Sequence, residues 1–229
     1  MVDKLVKQTI TFSLWVQIIT TVISLDGFRY DVKPEDAILK EILFIETFVQ
    51  FVEGFFYANI IGGLHDLNLM TSRRYFDWII TTPVMLLSTM LFFKYSELKE
   101  KDQLEPFTTE EFYYKNKDNV HKIVSYNALM LMFGYLGETG VMDKKIAIPL
   151  GFVFFFLSFK LIYEEYAVHS KLGKLLFKVL FSIWILYGVA AMMPGREKNI
   201  SYNILDIFSK NFYGLFIYYK IRELNGKTK

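Results

Sequence analysis

The chain has 229 residues, of which 53% are hydrophobic and 18% aromatic, yet 22% are charged. Its net charge of +2 says nothing about partners, and no nucleic-acid partner is expected. Without cysteine the chain can form neither disulfides nor thiolate metal sites, and His65, His121 and His169 make no ligand-spaced cluster, so no metal is expected.

Charge is concentrated between apolar blocks, the pattern of hydrocarbon-length segments alternating with wetted loops. Seven blocks follow in order, over residues 8–25, 37–64, 74–93, 120–140, 144–166, 172–193 and 199–222. The stretch before the first block is polar, which argues against a signal peptide and for a retained first helix. The first block is the most polar, with Thr9, Thr11, Ser13, Gln17 and Thr20. In the second, Glu46, Gln50, Glu53 and Tyr57 recur at helical spacing and predict a polar stripe facing the bundle, with Glu41 nearer the interface. The third puts Arg74, Asp77 and Thr81 on one face, and its Pro83 is tolerable in a buried transmembrane helix. The acidic stretch 97–118 is the longest connection, expected to be a mobile loop. The seventh block carries Asp206 and Lys210 four residues apart, hence on one helix face. The fold expected is an all-α membrane protein, a single seven-helix domain over residues 1–229.

Lys and Arg are unevenly shared between the two sets of connections. One set holds Arg29, Lys33, Lys40, the lysines between blocks three and four, Lys171, Lys174 and the basic C-terminus. The other holds Lys4, Lys7, Arg73, Arg74, Lys144, Lys145, Arg196 and Lys198. The richer set should be cytoplasmic, with the N-terminus outside and the C-terminus inside.

A lysine at membrane depth faces a bundle interior, because unpaired charge in hydrocarbon is expensive. From the seventh block alone, Lys210 is equally well read as half of a buried ion pair or as an amine that condenses with a carbonyl ligand.

The third block, RYFDWIITTPVMLLSTM from Arg74 to Met90, resembles helix C of the microbial (type 1) rhodopsins, and Asp206-x-x-x-Lys210 resembles their helix G. The likeness covers nearly the whole chain. It implies all-trans retinal bound covalently to Lys210, with Asp77 as counter-ion and proton acceptor, Asp206 as second counter-ion and Arg74 keeping both ionised. The implied chromophore box is Tyr57, Trp78, Thr81, Thr82, Met85, Met130, Gly134, Phe155, Ser158, Trp184, Tyr187 and Ser209, with Asn127 beside the ring end. The chain departs from the family at Gly188, where a proline is usual, and at Ala191, where an aromatic is usual.

Function divides on a few positions. The carboxylic proton donor of similar proton pumps, eleven residues after Asp77, is here Ser88. A chloride pump would carry a neutral residue at Asp77, and a sodium pump an asparagine there with a glutamine at Ser88. The glutamates of the second block resemble those lining the cation path of channelrhodopsins. Glu53 matches their central gate, and Ser13 and Asn211 could complete a hydrogen-bonded cluster with it, while Glu46 would form a gate nearer water. The combination is most similar to the channel-type rhodopsins of giant algal viruses. It implies a light-gated cation channel, not an enzyme. The alternatives are an outward proton pump and a photosensor coupled to a partner. The implied partners are retinal, lipid and transported cations or protons, with a homo-oligomer compatible. If the chain is viral, a host-cell membrane is implied.

Overall fold

A computed structural model describes residues 3–63 and 67–228. Leu64, the end of the second predicted block, lies outside the described residues, as do Met1, Val2, His65, Asp66 and Lys229. Seven helices and no strand are found among the described residues. They are α1 (Lys4–Asp26), α2 (Ile38–Gly62), α3 (Leu67–Glu100), α4 (Thr109–Glu138), α5 (Lys144–Glu165), α6 (Lys171–Ala191) and α7. The last is built of Gly195–Asp206, a π-helical turn Ile207–Asn211, and Phe212–Thr228.

The helices are longer than the apolar blocks because their polar first and last turns are held by specific bonds. Asp3 caps α1 through Leu5 N at 2.9 Å, Asp143 caps α5 through Lys145 N at 2.8 Å, and Ser170 caps α6 through Gly173 N at 2.8 Å. Glu100, the last residue of α3, accepts the backbone N–H of Lys171 and Leu172 and so joins two helix ends.

The largest correction concerns the acidic stretch 97–118, expected as a mobile loop. Most of it is helical, and only 101–108 connects α3 to α4. Lys94 and Lys101 flank Glu97 at 3.0 and 2.6 Å, which extends α3 into water. Thr108 and Glu111 form a capping box that starts α4 a full eleven residues before the predicted block. Glu41 accepts the Thr109 N–H at 2.8 Å, tying α2 to that start.

The bundle is polar inside and apolar outside on one side. The buried stripe of α1 is Val6, Ile10, Ser13, Gln17, Thr20 and Ser24, while Phe12, Trp15 and Val22 are exposed. Phe44, Phe51 and Phe55 likewise point outward from α2, whose buried face carries Glu46, Gln50, Glu53 and Tyr57. Hydrocarbon as the outer solvent accounts for this inversion, because lipid solvates phenyl rings and water does not. Among the described residues, four helices are long and apolar enough to cross a membrane on composition alone, within Lys4–Arg29, Leu69–Glu100, Lys144–His169 and Lys171–Ala191. On the opposite side of the bundle, α5 and α6 interlock through aromatic rings, with Phe155 5.4 Å from Phe181 and Phe159 5.3 Å from Trp184.

Candidate functional site

Lys210 lies inside the π-helical turn of α7, buried at 2% exposure. In that turn the Phe212 N–H reaches the Ile207 carbonyl five residues back. The Asn211 amide in turn donates to the Asp206 carbonyl at 3.5 Å. Such a widened turn is a device of functional sites. No sequence signal announced it.

Three carboxyls converge on the Lys210 ammonium. Asp77 Oδ2 accepts from Nζ at 2.7 Å, Glu53 Oε1 is 3.4 Å away, and Asp206 Oδ1 is 3.8 Å away. Asp206 is the most strongly held of the three. It accepts from the Tyr57 hydroxyl, from Arg74 Nη1 at 3.0 Å and from the Tyr187 hydroxyl at 2.6 Å. Arg74 also donates to Tyr57 Oη at 3.0 Å and to the Asn203 side chain, and Asn203 reaches Thr9 of α1 at 2.8 Å. The expected grouping of Arg74, Asp77, Asp206, Tyr57 and Lys210 is therefore present as one buried network. Glu53 joins it, 3.4 Å from Lys210 Nζ.

From Lys210 a cavity of about 120 Å³ runs between α3, α4, α5, α6 and α7. Its walls include ten of the expected residues: Trp78, Thr82, Met85, Met130, Gly134, Phe155, Trp184, Tyr187, Ser209 and Lys210. Tyr57, Thr81 and Ser158, also expected in the box, are buried but are not among its walls. Thr81 donates to the Asp77 carbonyl at 3.0 Å, and Ser158 to the Ile123 carbonyl at 3.2 Å. Asn127 acts through Thr82, donating to its hydroxyl at 2.7 Å.

Sequence reasoning missed Tyr75, Tyr202 and Phe152, which also line the cavity. Tyr202 could have been found, since it lies one turn before Asp206 on the same face. Tyr75 packs edge-on to Trp78 at 4.9 Å, and its hydroxyl would meet a Cβ at Gly134 at 2.7 Å, so glycine there makes room for the ring. The Phe152 ring stands against Gly188, where a Cβ would come within 2.8 Å of its Cε1. Thus the departure from the usual proline leaves a wall of phenyl and glycine in place of an open end.

The residues fit a long apolar ligand that ends in a carbonyl. The cavity is walled by aromatic and small side chains, and its polar end holds the one amine, Lys210, beside Asp77, whose Oδ1 is buried without a partner.

The second polar group of the site lies between α1, α2 and α7. Ser13, Gln17, Ser24, Glu46, Gln50 and Glu53 are all buried there and each has an unpartnered polar atom. The hydrogen-bonded cluster expected of Ser13, Glu53 and Asn211 is not formed among the described residues. Asn211 Oδ1 instead accepts from Thr20 at 2.5 Å, one turn farther along α1 than Gln17, and Glu53 faces Lys210. Glu46 is hydrogen-bonded to Ser88 of α3.

Comparison with solved structures finds the same seven-helix arrangement. A viral rhodopsin, OLPVRII, is 28% identical with a TM-score of 0.81, over 96% of this chain and 99% of that one. Halorhodopsin, a light-driven chloride pump, is 13% identical with a TM-score of 0.72, over 100% and 98%. The light-driven proton pump of Leptosphaeria maculans is 12% identical with a TM-score of 0.72, over 98% of each chain. At such identities the two pumps share the fold alone. A search of the curated proteins returned no match. The family model described as bacteriorhodopsin-like protein matches residues 8–224. The chain is an integral, multi-pass membrane protein, similar to the viral rhodopsins, and it belongs to the bacteriorhodopsin-like family of microbial rhodopsins, whose members carry retinal on a lysine.

Proposed function

We propose that the chain is a photoreceptor that holds all-trans retinal covalently on Lys210 and acts as a light-gated cation channel, its whole length forming one retinal-binding unit. The bound retinal would supply light-driven isomerisation next to the Lys210 nitrogen. Asp77, 2.7 Å from that nitrogen, is the group suited to take its proton. Arg74 and Tyr57 hold Asp206 as a fixed negative charge behind it. Trp78 and Trp184 would confine the polyene, so that movement at Lys210 is passed to α3, α6 and α7.

The observation that carries the channel reading is the column of buried polar groups between α1, α2 and α7. It runs along α1 through Ser13, Gln17, Thr20 and Ser24 and along α2 through Glu46, Gln50 and Glu53. A helix whose inward face is polar and outward face is phenyl has the pattern of one lining a hydrated path. Buried polar atoms without partners are expensive in a static core, and a path that hydrates on opening gives them partners. The count of basic residues further supports an external N-terminus. The test is whole-cell voltage clamp under illumination. A photocurrent that reverses with the cation gradient supports a channel, and a current outward at every voltage rejects it in favour of an outward proton pump. The pump reading draws on the Lys210–Asp77 pair and on the acid at Glu46.

A further inference from the structure

Lys160 of α5 and Lys178 of α6 stand on the outward surface of the bundle, both exposed. The 21 residues of α6 make a helix about 31 Å long at 1.5 Å per residue, only just the thickness of hydrocarbon. Lys178 lies seven residues in from the start of α6, about 10 Å below that end. Lys160 lies five residues before the end of α5, about 8 Å below the same end of the bundle. Around them Phe156, Leu157, Leu175 and Val179 are 47%, 40%, 60% and 47% exposed, so this is a surface that lipid covers.

The two amines belong to one seam. On α5, Lys160 lies one turn after Phe156 and one turn before Tyr163, and on α6, Lys178 falls between Phe177 and Phe181. The rings pair across the seam, Phe156 with Phe181 at 6.1 Å and Tyr163 with Phe177 at 4.9 Å. These pairs set Lys160 and Lys178 at the same height on the lipid side. Glu164, itself exposed, lies 3.9 Å from Lys160. No ion pair of Lys178 is found among the described residues. Lys174, one turn nearer the helix end, lies in the field of Glu100. Glu164 therefore offsets one of the two charges and leaves the other in excess, at a depth where uncompensated charge is costly. The Cα–Cβ bond of a helical residue tilts toward the helix N-terminus, and α6 begins at this end, so Lys178 leans toward the headgroups.

We propose that the α5–α6 seam binds an anionic phospholipid, its phosphate between the Lys160 and Lys178 ammonium groups and its acyl chains over Phe156, Leu157 and Val179. A zwitterionic lipid brings its own cation beside the phosphate and leaves the excess charge in place, so the seam selects a headgroup of net negative charge. One headgroup held from both helices ties α5 to α6 on the lipid side, as the rings tie them within. This binding does not depend on retinal at Lys210.

The test uses the full chain in nanodiscs of phosphatidylcholine, with and without a minor fraction of phosphatidylglycerol. Native mass spectrometry after mild delipidation counts the lipid retained. The parent should keep phosphatidylglycerol in preference to phosphatidylcholine and should melt at a higher temperature when it is present. Lys160→Gln and Lys178→Gln should each weaken retention about fivefold, the scale of one basic residue at an anionic surface. Lys178→Arg should retain the lipid, which separates loss of charge from loss of fold. Lys115→Gln with Lys117→Gln, which removes two charges from the exposed start of α4, should leave retention unchanged. A parent that keeps both lipids equally, or a loss in the α4 variant equal to that in the seam variants, overturns the proposal. So does a gain in melting temperature that inorganic phosphate reproduces in phosphatidylcholine alone, since the ligand is then a free anion.

Discussion

Replacing Glu53 with glutamine should leave the absorption maximum of the retinal-loaded protein nearly in place, whereas Asp77→Asn should move it strongly. Two cations, Lys210 and Arg74, face three buried carboxyls, Asp77, Asp206 and Glu53. One negative charge is therefore in excess if all three ionise. Asp206 accepts three hydrogen bonds and Asp77 accepts the Lys210 bond, but neither oxygen of Glu53 has a hydrogen-bond donor. Glu53 is then the carboxyl expected to keep its proton in the dark, and glutamine is its neutral isostere. At 2.7 Å the Asp77 charge interacts with the Lys210 nitrogen by about 6 kcal/mol at an effective dielectric constant of about 20. A charged Glu53 at 3.4 Å would contribute about 5 kcal/mol by the same arithmetic, so the two possibilities are well separated. Removing a charge that stabilises positive nitrogen in the ground state narrows the gap to the excited state. Asp77→Asn should accordingly absorb to the red, or in the near ultraviolet if the nitrogen loses its proton. The assay is the absorption spectrum of each purified variant at neutral pH. A red shift in Glu53→Gln comparable to that of Asp77→Asn would refute this charge count.

Lys210→Ala should abolish the visible pigment, since Lys210 is the one amine among the walls of the cavity, and a borohydride-reducible retinal adduct of native colour in that variant would count against the assignment. Ser209→Ala removes a hydroxyl that sits 2.7 Å from Tyr187 Oη beside Lys210, and its absorption should move to longer wavelength; a blue shift contradicts the electrostatic account. Thr108→Ala breaks the capping box of α4 and should destabilise the protein by about 1 kcal/mol, read as a lowered thermal midpoint with an unchanged spectrum.

Why some of this was legible in the sequence and some was not has a physical basis. The faces of Arg74, Asp77 and Thr81 on α3 and of Asp206 and Lys210 on α7 follow from helical spacing within one element, which the chain spells out directly. Helix ends were harder, because apolar windows stop where hydrocarbon stops. The caps at Thr108 and Ser170 and the Glu100 bonds to α6 carry the helices on into water. The gate cluster of Ser13, Glu53 and Asn211 depended on how three helices rotate about their axes. The bundle turns Glu53 toward Lys210 and gives Asn211 to Thr20.

What the sequence determined by itself is the membrane bundle and the sharing of one helix face by Arg74, Asp77 and Thr81 and of another by Asp206 and Lys210, since each depends on residue type and on spacing along one helix. Only the tertiary structure decided that three carboxyls share one ammonium, that Glu46 stands against Ser88, and that Phe152 closes the wall at Gly188. These are contacts between helices far apart in the chain. Their distances depend on helix rotation and on the local widening at Ile207–Asn211, to which no single stretch of sequence is sensitive.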